Sequence, residues 1–241
     1  MIRIVSWNIE LGLNLDQAVT ELRSEPDLRN ADIILLQEMS PSGTQHVAGN
    51  LNMDYRYAAP ARHPDTGQPF GNAVLSPWPM DHLIEIPLPH TAPIQGQPRT
   101  AVGTTIRLAN TTVTAFSVHL ETVLLSITRR VQQLATLTTA LPTHTDHPVV
   151  VGGDFNTASK RSNKQFNSTM NTAGLKPLSR SSNPTFRRFG RDFTLDHIYG
   201  RDLTMKTSGV AHNAQASDHR PVWATAKPTP RQTQNVHHQQ S

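Results

Sequence analysis

The stretch VVVGGDFN, residues 149–156, decides the fold. Its three valines form an apolar run of strand length, and two glycines, a carboxylate and an amide end the stretch. The run predicts a buried strand that ends in a Gly-Gly turn. Asp154 and Asn156 are two residues apart, so on an extended backbone their side chains project to the same side. We therefore expect a pair of polar side chains at the end of a buried strand.

Polar residues follow other apolar runs in the same way. The runs IRIVSWNI, ADIILLQE, TTVTAFSVHL and TLDHIYG predict further strands, and PVWATA predicts the last one. Burying a carboxylate or a histidine is costly unless the group is paired or holds a metal ion. Because the active sites of layered α/β proteins form where strand ends meet, we expect these polar residues to converge in one site. They are Asn8, Glu10, Glu38, His119, Asp154, Asn156, Asp196, Asp218 and His219.

The segments between these runs predict helices and hairpins. Apolar residues at helical spacing indicate a helix that is capped by Asn14 and ends before Pro26, and further helices over about 43–52 and 126–141. Two strand-like runs joined at residues 109–110 predict a tight hairpin. Hairpin strands together with strand–helix–strand units argue against a purely parallel barrel. They predict an α/β protein in which two mixed sheets pack together with helices outside.

The composition excludes several classes of protein. The chain has 241 residues, a mass of 26.6 kDa and no cysteine, which excludes a cysteine nucleophile, a cysteine-ligated metal site and a disulfide scaffold. No run approaches the roughly 18 apolar residues of a membrane span, and the first ten residues do not resemble a signal peptide. We expect one domain over residues 1–226, a disordered polar tail over residues 227–241, and a monomeric cytoplasmic protein.

Positive charge is concentrated in one segment. The formal net charge is +4, from 22 basic and 18 acidic residues, yet residues 158–193 hold eight basic residues and one acidic residue, a balance of +7. Such a segment is typical of a surface that meets a polyanion, and a solvated basic loop is the alternative. Phe186, Phe189 and Phe193 alternate with its arginines. These rings either stack on nucleic-acid bases or pack beneath the loop.

Seven motifs, all in order, resemble those of the endonuclease/exonuclease/phosphatase superfamily, and the resemblance extends from residue 4 to about residue 224. It implies a four-layer α/β sandwich of two packed mixed β-sheets flanked by helices, as in deoxyribonuclease I. It also implies hydrolysis of phosphoesters with Mg²⁺ or Mn²⁺. The motifs are WNIE (7–10), LQE (36–38), GN (71–72), SVHLE (117–121), GGDFN (152–156), LDHI (195–198) and SDHRPV (217–222).

The resemblance implies a set of metal ligands. Glu38 is expected to be the principal ligand, with Asn8 and Asp218 nearby, binding the ion directly or through water. The chemistry of these side chains agrees, because carboxylate and amide oxygens suit a small divalent cation such as Mg²⁺ and no thiol competes.

The resemblance assigns the chemical steps to five other residues. Asp154 is expected to orient or deprotonate the attacking water, and Asn156 to donate to a nonbridging phosphate oxygen. His219, oriented by Asp196, and His119 are expected to supply the remaining proton transfers and phosphate contacts. A carboxylate beside an imidazole raises the pKa of the imidazole and keeps it cationic near neutrality.

Four further residues carry weaker signals. Arg99, in the sequence PRTA, resembles the phosphate-contacting arginine of the superfamily, and the alternative is a surface salt bridge. Asn72 either supports the phosphate site or caps a turn, and Glu10 is a further candidate. His197 follows Asp196 directly on a strand, so it should point away from the site.

Three functions are compatible with these motifs. The first is a nuclease whose basic segment holds the phosphates of nucleic acid. The second is a phosphodiesterase or phosphatase that acts on a lipid headgroup or another small phosphoester. For this function ETVLLSI (121–127) is the nearest apolar membrane contact, although it fits the core of a helix better. The third is a nonenzymatic nucleic-acid binder, which the complete set of site residues argues against. His119 stands where apurinic endonucleases typically carry tyrosine, which counts against that branch.

Overall fold

A computed structural model of the chain describes residues 1–64, 66–94, 96–142, 147–180 and 183–229. In these ranges twelve strands form two six-stranded sheets, and two short strands form a separate hairpin. In spatial order, the first sheet contains β13 (Leu203–Val210), β14 (Val222–Pro228), β1 (Ile2–Asn8), β2 (Ile33–Met39), β4 (Pro69–Ser76) and β3 (Asp54–Arg62). The second sheet contains β5 (Ile84–Leu88), β6 (Arg99–Leu108), β7 (Thr111–His119), β8 (Val149–Asp154), β12 (Asp196–Arg201) and β9 (Lys176–Pro177). The hairpin pairs β10 (Phe186–Arg188) with β11 (Arg191–Phe193).

Each sheet has one parallel pair of strands near its centre. β1 runs parallel to β2, and β7 runs parallel to β8, while the other neighbouring strands are antiparallel. Parallel neighbours end at the same edge of a sheet, so Asn8 lies beside Gln37 and His119 lies beside Asp154. Asn8 Nδ2 lies 3.3 Å from Asp154 Oδ2, so the polar ends of the two sheets meet.

The two sheets pack face to face, and the helices cover their outer faces. The layer between the sheets is apolar, with Ile4, Leu35 and Val150 fully buried in it. A second apolar cluster joins the first sheet to two helices, and a third joins the second sheet to the other two. The helices are α1 (Leu15–Ser24) and α2 (Pro41–Leu51) on the first sheet, and α3 (Ile127–Ala140) and α4 (Lys160–Thr172) on the second. This arrangement confirms the four-layer α/β sandwich that the sequence predicts.

The two glycines of GGDFN lie inside β8, so the predicted Gly-Gly turn is wrong. A Cβ on Gly152 would lie 2.7 Å from the side chain of Leu35 in the other sheet, and a Cβ on Gly153 would lie 1.7 Å from the carbonyl oxygen of Val118 on β7. The glycines are present because the opposite sheet and the neighbouring strand leave no room for a side chain. β8 therefore continues without a turn to Asp154.

Several elements are not evident from the sequence. β3 is an edge strand with one buried side chain, and α4 is a mostly polar helix whose buried apolar residues are Phe166 and Met170, so neither contains an apolar run. The basic segment 158–193 contains α4 and the β10–β11 hairpin, so it is not simply a loop. β14 continues to Pro228 and so includes the first two residues of the predicted tail, and residues 230–241 lie outside the described residues. No helix in the described ranges is long and apolar enough to cross a membrane.

Candidate active site

A row of three titratable side chains crosses the second sheet. His119 ends β7, Asp154 ends β8 and Asp196 begins β12, and the three are direct neighbours across the strands. Asp196 thus lies at the amino end of its strand, not at a carboxyl end, and it reaches the site because β12 runs antiparallel to β8. The distance from His119 Nε2 to Asp154 Oδ2 is 3.4 Å. All three side chains are buried.

Two residues of the first sheet face this row. Glu38 lies at an irregularity in the pairing of β2 with β4 and has a φ of +61°, so its side chain leaves the regular alternation of the strand. Asn8 Nδ2 donates to Glu38 Oε1 at 3.2 Å and to Asp154 Oδ2 at 3.3 Å. One amide group therefore contacts a carboxylate from each sheet.

The loop 211–221, between β13 and β14, brings Asp218 and His219 to the same place. The side chain of His219 is buried and that of Asp218 is exposed. Three hydrogen bonds fasten the loop to β1 and the turn after it. They run from Trp7 Nε1 to the His219 carbonyl (2.8 Å), from Ser217 Oγ to the Asn8 carbonyl (2.7 Å) and from the Asp218 N–H to Glu10 Oε2 (3.0 Å).

Helix α1 holds the same loop from the other side, through residues that sequence reasoning did not assign to the site. The buried Glu21 carboxylate accepts hydrogen bonds from the N–H groups of Gln215 at 2.9 Å and Ala216 at 3.3 Å. Asn14 Nδ2 donates to the Ala216 carbonyl at 3.2 Å, so the Asn14 side chain binds this loop. The prediction that it caps α1 is wrong, because its side chain makes no capping hydrogen bond. The sequence signal for Glu21 is a carboxylate set among the apolar positions of a helix.

His219 and Asp196 form a tightly hydrogen-bonded pair. His219 Nδ1 lies 2.9 Å from Asp196 Oδ2, and His219 Nε2 lies 3.8 Å from Asp154 Oδ2. Burial alone would lower the pKa of His219, but the Asp196 and Asp154 carboxylates outweigh it and raise the pKa to about 10. The imidazole is therefore cationic at neutral pH, as the sequence predicts for this residue.

His119 also lies near two carboxylates, with Nε2 3.4 Å from Asp154 Oδ2 and Nδ1 3.9 Å from Glu38 Oε1, but these contacts do not offset its burial. Burial lowers the pKa of His119 well below its ordinary value of 6.5, and the positive charges of Arg99 and His219 lower it further. His119 is therefore neutral at physiological pH. The sequence-based expectation that an imidazole next to a carboxylate stays cationic holds for His219 and not for His119.

Two carboxyl groups of the site, those of Asp154 and Asp218, resist ionisation in the absence of a metal ion. Burial raises the pKa of Asp154 from 3.8 to about 7, and the negative charges of Asp196 and Glu38 act in the same direction, against the opposing effect of His219. Partial desolvation raises the pKa of Asp218, although its side chain reaches the surface, and the negative charges of Glu38 and Asp196 act in the same direction. The pocket thus concentrates more negative charge than its side chains balance.

Asn156 lies just beyond β8 in the left-handed region, with a φ of +52°. Its N–H donates to Asp154 Oδ1 at 2.8 Å, and its Nδ2 donates to the Leu120 carbonyl at 3.0 Å. The Arg130 guanidinium of α3, which is buried, donates to the Asn156 carbonyl at 2.7 Å. Arg130 is a second residue that sequence reasoning missed, since nothing in the helical pattern distinguishes it from its exposed neighbour Arg129.

Arg99 and Asn72 lie beside His119 and line a small cavity together with Phe70. Arg99 forms a salt bridge with Glu121 at 3.2 Å, but both side chains are buried, so the surface salt bridge considered from the sequence is wrong. Among the described residues, Nε and Nη1 of Arg99 have no hydrogen-bond partner. Asn72 lies inside β4 and donates to the Thr100 carbonyl of the other sheet at 2.6 Å, so it does not cap a turn.

Two other expectations concern residues around the site. The His197 side chain bonds to Thr157 Oγ1 at 2.6 Å, away from the row of titratable groups, as predicted. The segment ETVLLSI is not helix core: α3 begins only at Ile127, and Val123 and Leu124 are 57% and 55% exposed. These two side chains lie on the turn that follows His119.

The donor set fits a divalent metal ion. Asp154, Asp196 and His219 each offer a ligand atom within 4.8 Å of the others, and Asn8 Nδ2 contacts both Asp154 and Glu38, so the Glu38 carboxylate oxygens lie beside this group. Hard oxygen donors of this kind suit Mg²⁺ or Mn²⁺. Besides burial, the negative charges of Asp196 and Glu38 raise the pKa of Asp154. A bound cation would neutralise these charges.

The deoxyribonuclease I-like fold, with an acid-rich site where its two sheets meet, defines a class of phosphoric-ester hydrolases. The Endonuclease/Exonuclease/phosphatase family profile matches residues 5–219, nearly the whole chain. The chain belongs to this family, whose members are phosphoric-ester hydrolases that generally depend on a divalent metal ion. None of the curated protein sequences compared with the chain matches it significantly.

Solved structures share the fold at low sequence identity. An endonuclease/exonuclease/phosphatase from Beutenbergia cavernae superposes with a TM-score of 0.76 and 17% identity over 95% of this chain and 72% of that one. The Bacteroides thetaiotaomicron mannosyl-6-phosphatase gives a TM-score of 0.75 and 16% identity over 94% of this chain and all of that one. D. rerio TDP2 complexed with a single-strand DNA product gives a TM-score of 0.68 and 16% identity, over 94% and 98% of the two chains.

Proposed function

We propose that the chain is a Mg²⁺- or Mn²⁺-dependent phosphodiesterase that hydrolyses nucleic acid, as an endonuclease or an exonuclease. The observation that carries this proposal is the position of the basic segment beside the site. Helix α4 begins with Lys160 and Arg161 shortly after Asn156, and Phe186 of the β10–β11 hairpin packs on His219. Basic side chains beside a hydrolytic site can hold several phosphates of one polynucleotide. The likeness to D. rerio TDP2, which is complexed with DNA, supports this substrate class.

In this proposal Glu38 is the principal metal ligand, and Asn8 and Asp218 lie close enough to contribute directly or through water. The support is the contact of Asn8 with Glu38 and the shared loop contacts of Asp218 and Glu10. When bound, the metal ion would stabilise the negative charge on the phosphate oxygens in the transition state.

The protein's own groups would move the protons. Asp154 orients the attacking water and takes its proton while the water oxygen forms a bond to phosphorus. The cationic His219, held by Asp196 at 2.9 Å, gives a proton to the leaving oxygen as the phosphorus–oxygen bond breaks. Asn156 donates to a nonbridging oxygen, and the neutral His119 adds a further hydrogen bond.

Arg99 and Asn72, which line a cavity together with His119, would contact the phosphate from that side of the site. The support is the pair of buried Arg99 nitrogens that lack a partner among the described residues, beside the cavity that His119 lines. A buried guanidinium with free donors is suited to a phosphate oxygen, because an unpaired buried donor is otherwise costly.

A second candidate function is hydrolysis of a lipid headgroup or another small phosphoester. The observation that favours it is the exposure of Val123 and Leu124 on the turn after His119. Exposed apolar side chains next to a hydrolytic site suit contact with a membrane surface. The likeness to a mannosyl-6-phosphatase supports a small phosphoester substrate within the same candidate function.

One substrate panel tests the proposal. Supercoiled plasmid, single-stranded RNA, bis-p-nitrophenyl phosphate, sphingomyelin vesicles and inositol phosphates are each incubated with Mg²⁺ and with chelator, and His219→Ala is the matched control. We expect nicked or degraded nucleic acid with Mg²⁺ only, and none with the variant. Turnover confined to lipid or phosphomonoester substrates contradicts the nuclease proposal and supports the second candidate.

A further inference from the structure

The β10–β11 hairpin is attached directly to the catalytic histidine. The rings of Phe186 and His219 have centroids 4.7 Å apart, and the backbones of the same two residues pair as an isolated bridge. The N–H of Arg220 donates to the Thr185 carbonyl at 2.7 Å, and the N–H of Asp196 donates to Thr185 Oγ1 at 3.2 Å. The position of the hairpin is therefore fixed relative to both members of the His219–Asp196 pair.

The tip of the hairpin carries an unusual residue. Phe189 and Gly190 connect the two strands, and both have positive φ, +50° and +72°. A two-residue turn of this kind favours asparagine, aspartate or glycine at its first position, and a bulky side chain there is conformationally unfavourable. Phe189 is nevertheless 90% exposed, so burial does not compensate for this conformation. Neither the turn nor the core of the protein accounts for a phenylalanine at this position.

Two arginines flank the tip without an acidic partner. Arg188 and Arg191 are opposite each other in the hairpin, both are exposed, and neither forms an ion pair with another described residue. The Arg188 guanidinium lies 5.1 Å from the centre of the Phe189 ring. Like charges directly opposite each other are unfavourable in a hairpin unless an anion lies between them. The tip thus combines an exposed aromatic ring with unneutralised positive charge.

We propose that this hairpin binds a single-stranded part of the nucleic-acid substrate, with an unpaired base stacked on Phe189 and the neighbouring phosphates held by Arg188 and Arg191. The inference rests on the proposed nuclease function and adds the strand state and the contact surface. Bases stack on exposed aromatic rings regardless of sequence, and arginines contact the phosphates between them. Phe189 lies three residues along the strand from Phe186, about 10 Å. The stacked base therefore lies within a few nucleotides of the phosphate that would be cleaved.

Binding is measured apart from catalysis. Fluorescence anisotropy with a fluorescein-labelled single-stranded oligonucleotide, in chelator, compares the wild type with Phe189→Ala, Phe189→Trp and the double variant Arg188→Gln/Arg191→Gln. We expect Phe189→Ala to weaken binding about tenfold or more, and Phe189→Trp to retain it. The double arginine variant should lower the slope of log affinity against log salt by about 1.4, the value for two phosphates of a single strand.

Matched controls come from the other end of the molecule. Tyr55→Ala removes an exposed aromatic side chain and Arg29→Gln an exposed arginine, each at the strand ends away from the site, and both should bind like the wild type. Turnover of bis-p-nitrophenyl phosphate should be unchanged in every hairpin variant, because this substrate is too small to reach the tip.

The outcomes separate the inference from the proposed function. A wild type that cleaves no nucleic acid overturns both. If the wild type cleaves nucleic acid and the hairpin variants bind and cleave it equally well, the nuclease proposal stands and the hairpin inference is wrong. If Phe189→Ala instead loses binding to phosphatidylserine vesicles while oligonucleotide binding is unchanged, the tip is a membrane contact and the inference is overturned.

Discussion

The charge of His219 depends on the two carboxylates beside it. Asp196 and Asp154 raise the pKa of His219 to about 10 despite its burial, whereas His119, on the neighbouring strand of Asp154, is neutral. The two histidines of one pocket thus differ in charge, because His219 is hydrogen-bonded to the Asp196 carboxylate and His119 is not. Of the two, only His219 is protonated at neutral pH.

We expect His219→Ala to lower kcat about 10²- to 10⁴-fold, the usual contribution of a positioned acid–base group. The His219 carbonyl that accepts from Trp7 is backbone, so the loop can keep this anchor in the variant. The measurement is the steady-state rate on the best substrate of the panel, with circular dichroism to verify the fold. An unchanged kcat in a folded variant would rule out the proton transfer assigned to this residue.

Asp154 should weaken the stability of the metal-free protein at neutral pH. Its pKa is raised from 3.8 to about 7 in the folded state, so the folded protein binds this proton more tightly than the unfolded chain does. Stability from this group is therefore present at low pH and is lost as the pH rises from about 4 to about 7. The cause is the burial of a carboxylate close to two others.

We therefore expect Asp154→Asn to abolish activity and yet to raise the Tm of the metal-free protein at about pH 8 by about 2–4 °C, equivalent to about 1 kcal/mol in a chain of this size. Differential scanning fluorimetry in chelator, repeated at lower pH, measures the effect. The gain should shrink at about pH 5, where the wild-type carboxyl is protonated. A gain that does not depend on pH would contradict the electrostatic explanation.

Among the helices and strands, α1 supports the loop 211–221, which carries Asp218 and His219. Its Glu21 accepts hydrogen bonds from two consecutive N–H groups, those of Gln215 and Ala216, three residues before His219. These donors have no strand partner, since they lie between β13 and β14. The helix therefore positions the loop as well as covering the first sheet.

Glu21→Ala should lower stability by about 1–3 kcal/mol, because it leaves two partly or fully buried N–H groups without an acceptor. We also expect a lower kcat at temperatures well below the Tm, with partial recovery in Glu21→Gln, which keeps one acceptor oxygen. Thr20→Ala, on the exposed side of the same helix, is the control and should leave kcat unchanged. If kcat remains normal in folded Glu21→Ala, the loop does not need α1 for its active position.

At the scale of the whole molecule, the site depends on the meeting of two sheets. Asn8 and Glu38 come from one sheet and Asp154 from the other, and the carboxylates remain close only while the sheets stay packed. Their mutual repulsion opposes this packing. A bound dication would remove the repulsion and so stabilise the fold as well as the transition state.

Mg²⁺ or Mn²⁺ should therefore raise the free energy of unfolding by about 2.7 kcal/mol when the ion is at 100 times its Kd, and so raise the Tm. Thermal unfolding with increasing metal measures this effect, and KCl at the same ionic strength is the control. Glu38→Gln should reduce the metal-dependent shift, while Arg29→Gln, far from the site, should keep it. An equal shift in Glu38→Gln would remove Glu38 from the ligand set.

The sequence by itself determined the layered α/β fold and named the residues of the site. Apolar runs with polar ends are local patterns, and strands such as β1, β2 and β7 form from them because their side chains must be buried. The sequence missed β3 because only one of its side chains is buried, and α4 because few of its residues are apolar. It also missed Glu21 and Arg130, because their importance comes from groups far along the chain.

Only the tertiary structure decided how the predicted residues act together. Asp196 reaches Asp154 because β12 runs antiparallel to β8, and the packing of the two sheets determines that His219 is charged while His119 is neutral. Of three phenylalanines that look alike in the sequence, Phe186 packs on His219 and Phe189 faces solvent. The physical reason is that burial and electrostatic interaction depend on distances in space between residues far apart in the chain, which a local pattern does not contain.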